Sequence, residues 1–382
     1  MLSFDFHQRT RFIAGPGVIG KLGSLAVELS AKRVLIVSDP GVVAAGLYQK
    51  GLDSLNKYGL NCLGFHDLHE NPSTVDVNAG VLVAKQFQPD LLIGLGGGSS
   101  MDCAKGINFV YSCGGRMQDY WGKGKATSEM LPMIAVPTTS GTGSESQSYA
   151  LISDSQTHVK MACGDPRAAC RIALLDPELT LTQPARVTAL TGIDALTHAL
   201  ETFVTKDRNA ISIAYSRAAW HYLSSSFLKV INDPSNLEAR SRMQTGACMA
   251  GMAIEASMLG AAHALANPLT ARFGIAHGQS VGMMMPAVLK ANGNDAAVGE
   301  LYRSLLADIG INVHAHDAGN ILADWFSGQL KLAGLKVRLS QLDIDPASIQ
   351  TLGQDAASQW TASFNPVRYA ATEMTRLYNS TE

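Results

Sequence analysis

Four short apolar runs punctuate the N-terminal half of the chain: RVLIV at 33–37, DLLIGL at 90–95, PMIAVP at 132–137 and RIALLD at 171–176. Each is apolar at consecutive rather than alternate positions, and helix-length segments separate them. Runs rich in Val, Ile and Leu with that spacing predict strands buried on both faces of a parallel sheet. The pattern changes after LTQPAR at 181–186. Stretches such as ISIAYSRAAWHYLSSSFLKV and RSRMQTGACMAGMAIEASMLGAAHAL then carry helical periodicity, and no strand is predicted. The expected organisation is an α/β domain over 1–184 and an all-helical domain over 185–382, in keeping with a chain of 382 residues, long for a single core. No short repeat or flexible linker interrupts it.

Three predicted strands run into loops suited to a nucleotide. In GLGGGSSMDCAK (94–105), Gly96, Gly97 and Gly98 let backbone N–H groups approach an anion, and the following helix start adds partial positive charge. The stretch departs from G-x-G-x-x-G because Ser99 stands where the third glycine belongs, so a tight turn and a pyrophosphate cradle both remain open. Asp39, in VSDPG, is either a turn residue beside Pro40 and Gly41 or an acceptor for a ribose hydroxyl. PTTSGTGSES (137–146) supplies hydroxyls and glycines for a polar loop.

The helical half adds donors for a metal. In GIDALTHALETF (192–203), Ile193, Leu196 and Leu200 form an apolar face, while Asp194 and His198 stack four residues apart and Glu201 reads as a solvated or supporting carboxylate. His263 ends an apolar, small-residue helix, where an uncompensated ring would cost on the order of 1–3 kcal/mol, so it requires a partner, of which a metal is one candidate. His277 follows 13 intervening residues later. Together the four side chains make an N3O set acceptable to Fe2+ or Zn2+. The other histidines lack such contexts, and His314 and His316 are expected on a solvated loop.

Composition narrows the partners. The chain is 46% hydrophobic and 16% charged with a formal net charge of −2, which argues against nucleic acid or an anionic membrane and for small molecules. No apolar run reaches the roughly 18–20 residues of a spanning helix, and MLSFDFHQRTRF has no signal-peptide pattern, so a cytoplasmic location is expected. Six cysteines without a C-x-x-C pair fit reduced, buried thiols.

Taken in order, FIAGPGVIGKLG, NPSTVDV, GGGSSMDCAK, PTTSGTGSE, LLDPEL, TGIDALTHALE, HALANPL and AHG resemble the iron-containing (group III) alcohol dehydrogenase family. The resemblance implies a Rossmann-like N-terminal domain and a helical C-terminal domain in a dehydroquinate synthase-like fold, with metal and nicotinamide meeting between them. It carries the metal ligands onto Asp194, His198, His263 and His277. It carries NAD contacts onto Gly96, Gly97, Gly98, Ser99 and Asp102 at the pyrophosphate loop, onto Thr138, Thr139, Thr142, Tyr149 and Lys160, and onto Leu179 on the adenosine side. Asp39 falls where the family favours NAD over NADP.

The activity implied is metal-dependent interconversion of a small alcohol with its aldehyde or ketone by hydride transfer to NAD, in a homodimer or larger homo-oligomer. Glycerol, polyol or hydroxyacid dehydrogenation, a dehydroquinate synthase-like lyase and a non-catalytic NAD-binding protein are the alternatives. One departure stands out: many members carry a histidine, implicated in proton relay, where this chain has Asn267, the residue expected to contact substrate. An amide cannot act as a base at neutral pH. Pro268 is expected to end the helix there.

Overall fold

The computed structural model describes residues 4–342 and 344–381. Among them the chain divides into two compact units, one of His7–Gln183 and the other of residues 4–6 together with the chain from Pro184 onward.

The first unit contains strands β1 (Arg11–Ala14), β2 (Arg33–Val37), β3 (Asn61–Phe65), β4 (Leu91–Gly96), β5 (Gly122–Lys123), β6 (Met133–Pro137), β7 (Tyr149–Ser153), β8 (Lys160–Gly164) and β9 (Ile172–Leu175). Its helices are α1 (Leu22–Glu28), α2 (Pro40–Ala44), α3 (Leu47–Asn56), α4 (Thr74–Phe87) and α5 (Gly98–Cys113). Six strands form a wholly parallel sheet in the order β1-β9-β6-β4-β2-β3. The four predicted strands are its middle, β9-β6-β4-β2. Along each, successive side chains enter opposite cores: Leu35, Leu92 and Ala135 on one face, Val34, Ile36, Ile93, Ile134 and Val136 on the other. Both faces being covered explains the unbroken apolar runs.

The edge strands β1 and β3 were not expected. Arg11 and Asn61 are exposed, and NCLGF alternates exposed with part-buried positions, so neither edge shows the continuous apolar signal. Equally unforeseen is a small second sheet, β5-β8-β7, whose β7/β8 pair is antiparallel.

The second unit contains helices α6 (Ala185–Val204), α7 (Ala210–Asn232), α8 (Leu237–Ala256), α9 (Ala261–Phe273), α10 (His277–Asn292), α11 (Ala296–Asp308), α12 (Ala315–Leu332), α13 (Ile349–Ser358) and α14 (Ala371–Asn379), and no strand among the described residues. Leu196, Leu200, Trp220, Phe227, Leu265, Met284 and Phe326 meet in one core. No single helix among the described residues is long and apolar enough to cross a membrane.

Three local expectations are corrected. His263 does not end the preceding helix: α8 stops at Ala256, and His263 lies in the first turn of α9. Pro268 does not end α9, which continues to Phe273 with the proline inside it and buried. Proline at that position removes the bond to the carbonyl four residues back and crowds that carbonyl, yet packing on both flanks, by Leu265 and Leu269, carries the helix through. His316 is within α12 rather than a loop, with His314 at its N-cap, although both remain exposed.

Candidate metal and nucleotide sites

Every loop predicted to meet a nucleotide lies at the carboxyl end of the parallel sheet. The strand order reverses around β2: the chain steps outward to β3, then returns across to β4. In open α/β sheets, that switch point at the carboxyl ends is where ligands bind. Asp39 follows β2 there, and Gly96 to Gly98 close β4 beside it. Gly96 has φ of 157°, and a Cβ on it would stand 2.3 Å from Ser100 Oγ and 3.0 Å from Asp39 Oδ2. Ser100 donates to Asp39 Oδ2 at 2.8 Å, and the Val42 N–H donates to Oδ1 at 3.0 Å. Asp39 is therefore the N-cap of α2 and also a rim of the glycine loop, so both roles left open for it are structurally available.

Gly97 is the N-cap of the 16-residue helix α5 and offers no side chain to its first N–H groups, which leaves them available to an anion. The third loop closes over this turn. A Cβ on Gly98 would approach Thr142 Cγ2 to 2.6 Å, Thr139 lies 3.4 Å from the corresponding point on Gly97, and Thr138 N–H donates to the Gly96 carbonyl. Ser99 Oγ accepts from Asn71 N–H, and Lys160 Nζ stands 3.5 Å from Asn71 Oδ1, which draws the NPS turn to the same place.

Three further residues expected at the nucleotide also have partners within the protein. Leu179 is buried among Val18, Ile19 and Val42 in the sheet core. The Tyr149 ring packs on Gly164. The Asp102 carboxylate accepts from the Ser144 hydroxyl and from Leu151 N–H at 3.3 Å, with Lys105 Nζ 3.9 Å away. Burial raises the Asp102 pKa, against the opposing charge of Lys105. Lys105 is fully buried and its Nζ donates to Ser144 O, Ser144 Oγ, Gln147 O and Tyr149 O at 2.6–2.9 Å. Asp102 and Lys105 thus hold the hydroxyl-rich loop from below. Their spacing in GGGSSMDCAK, three apart on a helix, was a legible signal for such a pair.

In the helical unit, α6, α9 and α10 bring Asp194, His198, His263 and His277 together. Asp194 Oδ1 stands 3.4 Å from His198 Nε2, 3.4 Å from His263 Nε2 and 3.8 Å from His277 Nε2. The ligand atoms of Asp194, His263 and His277 all lie within 4.8 Å of one another, and His198 Nε2 is 3.1 Å from His263 Nε2. Asp194, His198 and His263 are buried and His277 is partly so.

The chemistry of this donor set fits a divalent transition metal. Glu201, expected as solvated or supporting, is buried; its Oε2 lies 2.6 Å from His263 Nδ1. In neutral His263 a proton on Nδ1 leaves the Nε2 lone pair facing Asp194 and His198. Asp194 Oδ1 is a buried acceptor with no hydrogen bond of its own, a costly arrangement unless a cation satisfies it. Burial alone would raise the Asp194 pKa, but His198, His263 and His277 hold it well below the usual carboxylate range. For His263 burial opposes the charged form, yet Glu201 and Asp194 outweigh it and push the pKa up to about 9.

Asn267 lies one helical turn beyond His263 on α9, and its amide donates to Gln359 Oε1 at 3.1 Å. Gln359 had no signal in the sequence.

One unit thus offers a glycine-rich switch point suited to a nucleotide, and the other offers three histidines and a carboxylate suited to a metal. Residues 9–177 match the family model for iron-containing alcohol dehydrogenase, and residues 188–381 match the C-terminal domain of the Fe-containing alcohol dehydrogenase family. The chain belongs to this family. It is 34% identical over 280 residues to an NAD-dependent methanol dehydrogenase of Bacillus methanolicus, covering 73% of this chain and 74% of that one. Among solved structures it resembles a 1,3-propanediol oxidoreductase, with TM-score 0.96, 28% identity and full coverage of both chains. It also resembles a sulfoacetaldehyde reductase of Bifidobacterium kashiwanohense in complex with NAD+, with TM-score 0.90, 25% identity and coverage of 100% and 99%.

Proposed function

We propose that the chain is an NAD-linked alcohol dehydrogenase that interconverts a small alcohol with its aldehyde or ketone, and that Asp194, His198, His263 and His277 hold its divalent metal. The observation that carries the reading is the four-donor cluster on α6, α9 and α10, with Asp194 Oδ1 and three Nε2 atoms converging within 3.4–3.8 Å. Bound there, Fe2+ or Zn2+ would supply Lewis-acid polarisation of the substrate oxygen, and NAD would supply the hydride acceptor.

The rest of the chemistry belongs to the protein. The backbone N–H groups at the start of α5 receive the pyrophosphate, with Gly96 to Gly98 and Ser99 allowing close approach and Thr138, Thr139 and Thr142 lining the loop above. Asp39 accepts from a ribose hydroxyl and repels a 2′-phosphate, which favours NAD over NADP. Asn267 orients substrate or water through its amide and moves no proton itself. Relatives named for methanol and 1,3-propanediol support a small alcohol, while others named for choline, sulfoacetaldehyde and long-chain alcohols make charge and chain length the variables to test. The family resemblance supports a homodimer or higher homo-oligomer, checked by light scattering.

The test is a chain-length and polarity series of alcohols and aldehydes, assayed with NAD(H) and NADP(H) on protein of measured metal content. Chelation should abolish turnover, and Fe2+ or Zn2+ should restore it. Turnover that persists in metal-free protein would overturn the assignment.

A further inference from the structure

The first turn of α9 carries His263 but has no cap of its own. Its N-cap is Gly260, which offers no side chain to the helix. Two N–H groups are instead satisfied by residues remote in sequence: Ala261 N–H donates to Asn365 Oδ1 at 3.2 Å and Ala262 N–H to Glu201 Oε1 at 2.7 Å. The other Glu201 oxygen meets His263 Nδ1. Gly260 is required for this closeness, since a Cβ there would lie 2.9 Å from Asn365 Oδ1 and 3.2 Å from Glu201 Oε1.

Asn365 is itself fixed. Its Nδ2 donates to Asn292 Oδ1 at 2.8 Å and to the Val367 carbonyl at 2.7 Å, while Asn292 Nδ2 returns a bond to Asn365 Oδ1 at 3.1 Å. Tyr369 Oη donates to Asn292 Oδ1 at 2.7 Å. The preceding carbonyl, of Phe364, accepts from Thr205 Oγ1 and from Lys206 N–H just past the end of α6. Glu201, Asn292 and Asn365 are each at most 2% exposed. A buried polar network therefore ties the ends of α6 and α10 and the segment around 365 to the first turn of α9.

We infer that Glu201, backed by the Asn292–Asn365 amide pair, is a positioning residue that sets the ring orientation and tautomer of His263. Resting on the metal assignment above, this goes further by naming what pre-arranges one ligand. Both carboxylate oxygens of Glu201 are needed: one accepts from the Ala262 N–H, the other from the His263 Nδ1–H. An amide has a single acceptor oxygen, so Glu201→Gln must set its NH2 against one of those two donors. Groups that orient a ligating histidine in this way typically contribute 10–100-fold to metal affinity. Asn365→Ala leaves Glu201 in place but frees Ala261 N–H and the partner amide of Asn292, so it loosens the same turn one step further away.

The experiment measures Zn2+ affinity of the full-length protein by competition with a chromophoric chelator, alongside thermal unfolding of each metal-free protein. A companion spectrum of histidine-15N-labelled, Zn2+-loaded protein follows the His263 Nδ1–H proton. Expected are a far-downfield, slowly exchanging Nδ1–H in wild type and its upfield shift in Glu201→Gln. Affinity should fall about 10–100-fold in Glu201→Gln and by a smaller factor in Asn365→Ala, beyond what any change in unfolding temperature accounts for. If Glu201→Gln fails to fold, Asn365→Ala and the wild-type spectrum decide. Zn2+ affinity unchanged in the folded variants, or a His263 Nδ1–H exchanging freely in wild type, overturns the positioning role and leaves the metal assignment standing. A wild type that binds neither Zn2+ nor Fe2+ overturns the metal assignment itself, and this role with it.

Discussion

Two buried clusters of charged side chains, one in each unit, use similar residues to opposite ends. In the α/β unit Asp102 and Lys105 lie beneath the hydroxyl-rich loop and Glu145 lies within it, all three buried. In the helical unit Asp194 and Glu201 lie among histidines. The first cluster supplies its own cation: Lys105 donates to two oxygens of Ser144 in that loop and to the Gln147 and Tyr149 carbonyls where the chain runs on into β7. The second brings ring nitrogens and a carboxylate oxygen to a common centre, where Asp194 Oδ1 accepts no hydrogen bond. A buried charge that is fully paired within the protein builds structure, whereas a buried carboxylate oxygen left without a hydrogen bond among converging ring nitrogens is set for a cation from outside.

The largest effect expected from breaking this contrast is at the second cluster. Asp194→Ala or His263→Ala should lower metal content to background and kcat/KM by about a thousandfold or more, since Lewis-acid stabilisation is worth several kcal/mol. Both variants should stay folded as metal-free proteins, which circular dichroism and metal analysis of the same sample would check. Near-normal turnover in either would break the assignment.

At the first cluster the loss should be of stability. Lys105→Met leaves four oxygen acceptors and the Asp102 carboxylate without their cation, at a cost of roughly 3–5 kcal/mol. Denaturant unfolding of the variant should show it, and added Zn2+ should not reverse it. A mild destabilisation accompanied by loss of metal would contradict the division of labour between the clusters.

Glu145 sharpens the comparison through pH. Burial pushes its pKa up to about 7, with Lys105 opposing and Asp102 reinforcing the rise. Because the folded state then holds a proton that the unfolded chain releases near its ordinary pKa of 4.5, stability contributed by this group is present at pH 4 and declines as pH rises through 7. Glu145→Gln, neutral throughout, should flatten that decline, with a relative gain on the order of 2–3 kcal/mol at pH 8 over pH 4.5. Parallel unfolding curves for variant and wild type across that range would show that the carboxyl is not held protonated.

How much of this was legible in the sequence follows from where each signal resides. The central strands announced themselves because both their faces are buried, whereas β1 and β3, at the sheet edges, lack that signature. Asp194 and His198 share one helix and one face, so spacing alone paired them. His263 and His277 were recognisable as donors, but the break after Ala256 and the passage of α9 through Pro268 depend on tertiary packing, which outweighs local preference. The bonds from Glu201 to His263 and from Asn365 to Ala261 span 62 and 104 positions. No local pattern encodes partners at such separations, and Gly260 reads as an ordinary helix boundary until both acceptors are placed beside it.

Asp39 lies between the two kinds of carboxylate, and it gives the smallest expected effect. One of its oxygens caps α2 through Val42 N–H, and the other takes the Ser100 hydroxyl. Each carboxylate oxygen can accept more than one bond, so the side chain is anchored by the protein and still able to receive a ribose hydroxyl. Asp39→Asn preserves the cap, because an asparagine oxygen can accept from Val42 N–H as well. Its NH2 would then face the Ser100 side, where the hydroxyl can turn to accept. Stability should therefore change by less than about 1 kcal/mol. What is lost is the negative charge that disfavours a 2′-phosphate, so the ratio of kcat/KM for NAD over NADP should fall about tenfold, equivalent to about 1.4 kcal/mol. A ratio that does not move, with the cap intact, would place Asp39 with Asp102 among the carboxylates that only build the loop.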